Sequence, residues 1–213
     1  MRAKIKTILV GPLEVNCYIL WDSETLDALI IDPGGDAPLI EEAISSLGLK
    51  VKYIVNTHGH FDHVGADGEL RKFYSVPLAI HKADVHLLKN ASKNAELFGI
   101  KTPDQPSPDI FLTNNASLEA GALKIEILHT PGHTRGGVCL YIKTDGLLFS
   151  GDTLFSRSVG RTDLEGGSVE DLMDSIKTRL LCLDDDVRVL PGHGPATTIG
   201  EEREHNPFLA AIA

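Results

Sequence analysis

Six residues of this chain, His58-Gly59-His60-Phe61-Asp62-His63, carry three imidazoles and a carboxylate, and they follow a largely apolar run from Val51 to Val55. A packed core rarely houses so many polar groups, because each must keep a hydrogen-bond partner when it leaves water. The stretch therefore limits the fold: a strand ends here, and the chain gathers ligand-capable side chains in the loop that follows. Neutral imidazole and carboxylate oxygen suit zinc, and also iron or manganese. Such a site draws its remaining ligands from elsewhere in the chain.

The chain around this motif reads as strands and helices, then strands and helices again. Short apolar bursts at Ile5–Val10, Asn16–Trp21 and Ala28–Ile31 predict a strand meander. Pro38 followed by Ile40, Ala43, Ile44 and Leu47 predicts a helix that stops at Gly48. Val51–Val55 is a strand, His58–His63 a strand-to-helix loop, and Ala66–Tyr74 a helix. A strand at Pro77–Ile80 leads into a helix from Lys82 to Phe98, and Pro103, Pro106 and Pro108 place Lys101–Asp109 in an exposed loop. A second β-rich passage is expected from Ile110, with strands at Leu123–Leu128, Val138–Ile142 and Leu147–Phe149. Apolar residues at 169, 172, 173, 176 and 180 predict one helix, and Val187–Leu190 a last strand. Two such halves, each a sheet with helices on its outer face, make a four-layer αβ/βα sandwich in a single α/β domain spanning 1–213.

Three further polar residues repeat the position of the first motif. His133 in Thr130-Pro131-Gly132-His133, Asp152 in Ser150-Gly151-Asp152 and His193 in Pro191-Gly192-His193 each follow an apolar burst. Loops at strand ends are where such folds place chemistry. The candidates are thus His58, His60, Asp62, His63, His133, Asp152 and His193. Two ions about 3.5–4 Å apart use seven ligands when one carboxylate is shared. Asp152, the lone distal carboxylate, is the expected bridge. The other histidines, His81, His86, His129 and His205, are expected to be structural.

Composition narrows the function. A net charge of −10 argues against a nucleic-acid partner, since that grip needs clustered Lys and Arg. No apolar run approaches the roughly 20 residues that cross a bilayer, and Met1–Lys6 lacks the apolar core of a signal peptide, so a soluble cytoplasmic protein is expected, with no membrane partner. Cys17, Cys139 and Cys182 form no Cys-x-x-Cys pair, and each is expected to be buried.

The pattern His-x-His-x-Asp-His followed by a distal His, Asp and His resembles the metallo-β-lactamase fold superfamily over nearly the whole chain. That resemblance implies that His58, His60 and His133 hold one ion, that Asp62, His63 and His193 hold the second, and that Asp152 bridges. Gly151-Asp152-Thr153-Leu154-Phe155 with Gly160-Arg161-Thr162-Asp163 is similar to the glyoxalase II group, hydrolases of S-acylglutathione thioesters such as S-lactoylglutathione. Gly192-His193-Gly194-Pro195 and His205-Asn206-Pro207-Phe208 are similar to its short, bacterial-type members. A single domain without the C-terminal helical glutathione-binding domain of full-length members is expected, and the chain departs from the group in lacking a Glu-Tyr after the last histidine and a Lys-x-Tyr after Phe155.

The expected chemistry is hydrolysis of a small-molecule thioester. Two divalent ions, zinc in the first place, lower the pKa of a shared water so that a bridging hydroxide is available, with Asp62 and Asp152 as the catalytic carboxylates. Arg161, joined by Arg157 or Lys143, is expected to address the anionic end of the substrate. A thiolate leaves without a dedicated acid, which favours a thioester, or another small ester or lactone, over an amide. The rival within the same fold is a persulfide dioxygenase holding one iron through His58, His133 and Asp152. A nucleic-acid-processing hydrolase and a non-catalytic metal-binding module fit the sequence less well.

Overall fold

The protein is described by a computed structural model covering residues 2–210. The first half is a six-stranded sheet in sequential order: β1 (Ala3–Val10), β2 (Val15–Asp22), β3 (Asp27–Ile31), β4 (Lys50–Val55), β5 (Leu78–His81) and β6 (Ile110–Leu112). Its first three strands form an antiparallel meander, and β3 to β6 run parallel through helical crossovers. The crossovers carry α1 (Ala37–Ser46), α2 (Phe61–Val64), α3 (Asp67–Tyr74), α4 (Val85–Lys89) and α5 (Ala91–Glu96).

The second half is another six-stranded sheet. It contains β7 (Ser117–Ala120), β8 (Leu123–His129), β9 (Val138–Ile142) and β10 (Leu147–Gly151) as an antiparallel run, then β13 (Arg188–Pro191) parallel to β10, and β14 (Thr197–Thr198) at the edge. A small hairpin, β11 (Leu154–Phe155) with β12 (Ser158–Val159), stands apart from both sheets. The helices α6 (Val169–Ser175) and α7 (Ile199–His205) complete this half.

Period-two alternation within the central strands builds the layers, since successive side chains leave opposite faces of a sheet. Leu20, Leu29, Ile31 and Val55 meet Ile125, Ile127, Leu140 and Phe149 between the two sheets. Their alternating neighbours Ile19, Ile30, Ile54 and Ile80 pack outward on Ile40, Ile44, Leu70 and Leu88 of the first set of helices. On the far side, Cys139, Tyr141, Leu148 and Val189 pack on Leu172, Ile176, Leu180 and Ile199. Helix, sheet, sheet, helix is the expected four-layer sandwich. Strands buried on both faces explain why the central strands read as continuous apolar runs.

Several local expectations change. The helix expected over Lys82–Phe98 is a 3₁₀ turn (Lys82–Asp84) followed by α4 and α5, which break at Asn90, where the side-chain amide donates to His86 O at 2.9 Å. The helix expected over Val169–Leu180 finishes in a π turn, Ile176–Leu180, and Val169 faces solvent rather than the core. Ile110–Leu112 closes the first sheet instead of opening the second. The motif region is not wholly loop, because Phe61–Val64 forms one helical turn. Lys101–Asp109 has no regular structure, yet Gln105 tethers it: its amide donates to Gly65 O and Pro103 O, and its carbonyl accepts from Gly68 N. Cys17 and Cys139 are buried, but Cys182 is exposed. Among the described residues no helix is long and apolar enough to cross a membrane.

Candidate metal centre

The ends of β4, β8, β10 and β13 lie at one edge of the sandwich, and the loops leaving them carry the seven candidate residues. The turn of α2 sorts the motif: Phe61 and Val64 enter the first core, while Asp62 and His63 stay with the histidines that precede them. His58, His60 and His133 bring one ring nitrogen each to within 4.8 Å of one another, and the ligand atoms of Asp62, His63 and His193 meet the same limit. Asp152 lies between the two groups, with Oδ1 3.5 Å from His63 Nε2 and Oδ2 3.6 Å from His133 Nε2. Nδ1 of His60 faces Nε2 of His133 at 2.9 Å.

Hydrogen bonds fix which nitrogens are free. Thr57 Oγ1 donates to Asp32 Oδ2 at 2.6 Å, so toward His58 Nδ1 at 3.1 Å it acts as acceptor. His58 then carries its proton on Nδ1, and its Nε2 presents a lone pair. His63 Nδ1 donates to Asp32 Oδ2 at 3.1 Å, His133 Nδ1 to Arg161 O at 2.7 Å and His193 Nδ1 to Leu13 O at 3.1 Å. In each case Nε2 is turned toward the cluster. His58 Nε2, His63 Nε2 and Asp152 Oδ1 are buried without any hydrogen-bond partner. A buried acceptor left bare costs about 1–3 kcal/mol, and three in one place, among nitrogen and carboxylate donors, fit divalent ions. Asp32 is near enough to group with His58 and His63. Its oxygens already accept from Thr57 N, Thr57 Oγ1 and His63 Nδ1, which makes it the partner that orients ligands.

A second carboxylate, Asp84, ties the motif loop to the His133 loop. It accepts from Gly59 N at 3.0 Å, Thr134 Oγ1 at 2.7 Å and Gly136 N at 2.6 Å, and it is fully buried. The His193 loop is held from the first sheet, where Asn16 Nδ2 donates to Pro191 O and Gly194 O, and the Tyr18 hydroxyl to Pro191 O. Glycine is required where backbone meets the cluster. A Cβ on Gly192 would strike Asp152 Oδ1 and His63, and Gly151 adopts φ +48° against Thr57. Asp32, Asp84, Asn16 and Tyr18 were not among the sequence candidates. Asp32 stood out only as the start of Asp32-Pro33-Gly34-Gly35, and Asp84 gave no signal at all.

Burial dominates the electrostatics of the first histidines. It holds His58 well below the ordinary histidine range, and burial together with His133 brings His60 down to about 4, so both are neutral and ready to ligate. Burial acts the same way on His63, but Asp152 and Asp62 outweigh it and raise His63 well above its usual value. Asp62 and Asp152 are drawn below the carboxylate range, chiefly by His63, against the opposing effect of their own burial.

The cluster opens into a cavity of about 650 Å³ whose walls include His60, Asp62, His133, Asp152 and His193. Arg161 lines it too, with its guanidinium paired to Asp163 through Nε at 2.8 Å and Nη2 at 2.7 Å. The other two expected cations fail on position. Arg157 is bound to Glu201 and to His205 O, and Lys143 sits in the turn after Ile142, at the end of β9 remote from the cluster. The remaining histidines lie outside the cluster: the His81 and His129 rings stack at 4.2 Å, His86 Nδ1 donates to Ala83 O, and His205 ends α7.

Comparison with known proteins agrees with this geometry. The sequence pattern of the metallo-beta-lactamase superfamily matches residues 10–193. The chain is 39% identical over 207 residues to a hydroxyacylglutathione hydrolase, GloC, of Haemophilus influenzae, covering 96% of this chain and 97% of that one. Among solved structures it is similar to the BLEG-1 B3 metallo-beta-lactamase, at 40% identity and a TM-score of 0.91, covering 97% of this chain and 100% of that one. It is similar as well to TTHA1623 in a di-iron-bound form, at 38% identity and a TM-score of 0.89 with 96% and 100% covered.

Proposed function

This chain belongs to the metallo-beta-lactamase superfamily, and we propose that its reaction, within the metal-dependent hydrolysis of that family, is the cleavage of thioesters, with S-acylglutathiones such as S-lactoylglutathione as substrates. One observation carries the reading: bare, buried Nε2 atoms of His58 and His63 and Oδ1 of Asp152 meet beside a cavity that also holds an arginine. His58, His60 and His133 would hold one ion and Asp62, His63 and His193 the other, with Asp152 between them. Bound there, divalent ions supply a water of lowered pKa and a Lewis acid for the carbonyl oxygen. An all-nitrogen-and-oxygen set suits zinc first, with iron or manganese also acceptable.

The chain's own groups do the rest. Asp62, kept ionised by His63, accepts the proton of the attacking water. Water oxygen bonds to the acyl carbon, the C–S bond breaks, and the products are a carboxylic acid and a thiol. Free thiols ionise near pH 8.5, so the sulfur departs without a general acid. Arg161 can take a substrate carboxylate, because its ion pair with Asp163 is exposed and such pairs contribute only about 0–1 kcal/mol. The GloC relative's name supports glutathione as the thiol.

The reading is tested by metal analysis and assay of the purified protein together. About two equivalents of zinc, with hydrolysis of S-lactoylglutathione that Asp152→Ala abolishes, is the expected result. One equivalent of iron, with oxygen uptake on glutathione persulfide and no thioester turnover, would replace it with the dioxygenase.

A further inference from the structure

The two sides of the cavity differ in chemistry. On the second half the wall mixes Phe155, Val159 and Leu164 with Ser158, Arg161 and Glu165, so that Ser158 and Arg161 are available to the thiol portion of a substrate. The first half offers a shelf of Leu13, Phe61, Leu87, Leu97 and Phe98, on which the single non-ligand polar side chain is Asn94. Phe61 and Phe98 pack ring to ring at 5.3 Å and continue the shelf from the metal cluster to the rim. At the rim Leu97 is 82% exposed, Phe98 55% and Leu13 43%. Leu97 and Phe98 are among the most exposed large apolar residues of the described chain, and they stand together in the lining of the cavity beside the candidate centre.

We propose that this shelf seats the acyl part of the substrate, and that the preferred acyl group is an apolar chain longer than lactoyl. The proposal rests on the thioester reading and narrows it. A lactoyl group would cover little of the shelf, and its hydroxyl would face mostly leucine and phenylalanine, with Asn94 the single non-ligand polar side chain of that wall. An alkyl chain instead removes exposed Leu97 and Phe98 from water, and the gain scales with the apolar area covered. Charge points the same way. Among the described residues lining the cavity Arg161 is the sole Lys or Arg, it comes from the second half of the chain, and Glu165 is the additional acid. The first half therefore has no cation to hold an anionic acyl group.

The experiment uses the metal-loaded protein and one thiol, glutathione, carrying acetyl, butanoyl, hexanoyl, octanoyl or lactoyl groups. The expected kcat/KM rises about fourfold for each methylene seated on the shelf, and hexanoyl exceeds lactoyl by about tenfold or more. The double variant Leu97→Ser with Phe98→Ser, whose fold is checked by its melting temperature, flattens the profile. A flat or falling profile with acetyl and lactoyl both turned over overturns the acyl-chain assignment and leaves the thioesterase standing. A rising profile that the double variant leaves untouched overturns the shelf. Failure to hydrolyse any of the five thioesters overturns the thioesterase reading, and the acyl-chain assignment falls with it.

Discussion

Asp32 Oδ2 lies 3.1 Å from Nδ1 of His63, a residue 31 positions later, and the contact decides that His63 turns Nε2 toward the cluster. The same carboxylate orients His58 through the Thr57 hydroxyl. Asp32→Asn keeps the volume and removes the charge. Zinc affinity is expected to fall about 10–100-fold, the cost of losing such an outer partner, as read by competition with a chelating dye. Wild-type affinity in the variant would remove Asp32 from the site.

Asp84 joins the motif loop to the His133 loop, with three donors from Gly59, Thr134 and Gly136 on one buried carboxylate. Asp84→Ala strands all three. Stability is expected to drop by about 3 kcal/mol or more, a fall in Tm of roughly 6 °C or more for a chain of this size. Urea unfolding measures it, and a loss under about 1 kcal/mol would show that the tie is not holding the loops.

Asp67 is fully buried at the start of α3, where burial raises its pKa well above the usual carboxylate value. Its Oδ1 accepts from Asn56 Nδ2 at 3.2 Å, while Asp67 Oδ2 and Asn56 Oδ1 both lack partners. Asp67→Asn gives the pair a matching donor and acceptor. A carboxyl with a raised folded pKa stabilises fully at low pH and loses that contribution as pH rises above about 4, its unfolded value. The Asn variant should therefore match the wild type near pH 4 and exceed it at pH 7 by about 1 kcal/mol, or roughly 2–4 °C in Tm. A lower Tm for the variant at pH 7 would show that the charged carboxylate is required there.

Asp163 holds the Arg161 guanidinium that the proposed function assigns to the substrate, and it would compete with a substrate carboxylate there. Replacing it, Asp163→Ala, should lower KM for S-lactoylglutathione about two- to fivefold at low salt, the scale of an exposed ion pair. High salt should erase the difference, because exposed charges are screened. An unchanged KM at low salt would take Arg161 out of thiol recognition.

Much of this was legible in the sequence because it is written in local periodicity and in chemically unusual side chains. The short apolar runs of β2, β3, β9 and β10 mark strands without reference to the rest of the chain, and His58, His60, Asp62 and His63 announce themselves by density alone. The misread segments are those in which packing overrides pattern. The run from Lys82 to Phe98 has helical spacing, but it opens as a 3₁₀ turn in which Asp84 accepts from Gly59 of the motif loop, and it breaks again at Asn90. Val169 fits the helical stripe by spacing, yet it is exposed.

The sequence by itself determined the layer order and the seven-residue polar set, since both follow from side-chain type and from spacing along one strand or turn. The tertiary structure alone decided which nitrogen each histidine presents, because that depends on partners 25 to 180 residues away: Asp32 for Thr57 and His63, Arg161 O for His133, Leu13 O for His193. It also decided that Arg161, and not Arg157 or Lys143, reaches the cavity, and that Leu97 and Phe98 stand beside the cluster. Contacts across such separations leave no periodic trace in a single sequence, since each partner is an ordinary residue in its own neighbourhood until the sheets bring them together.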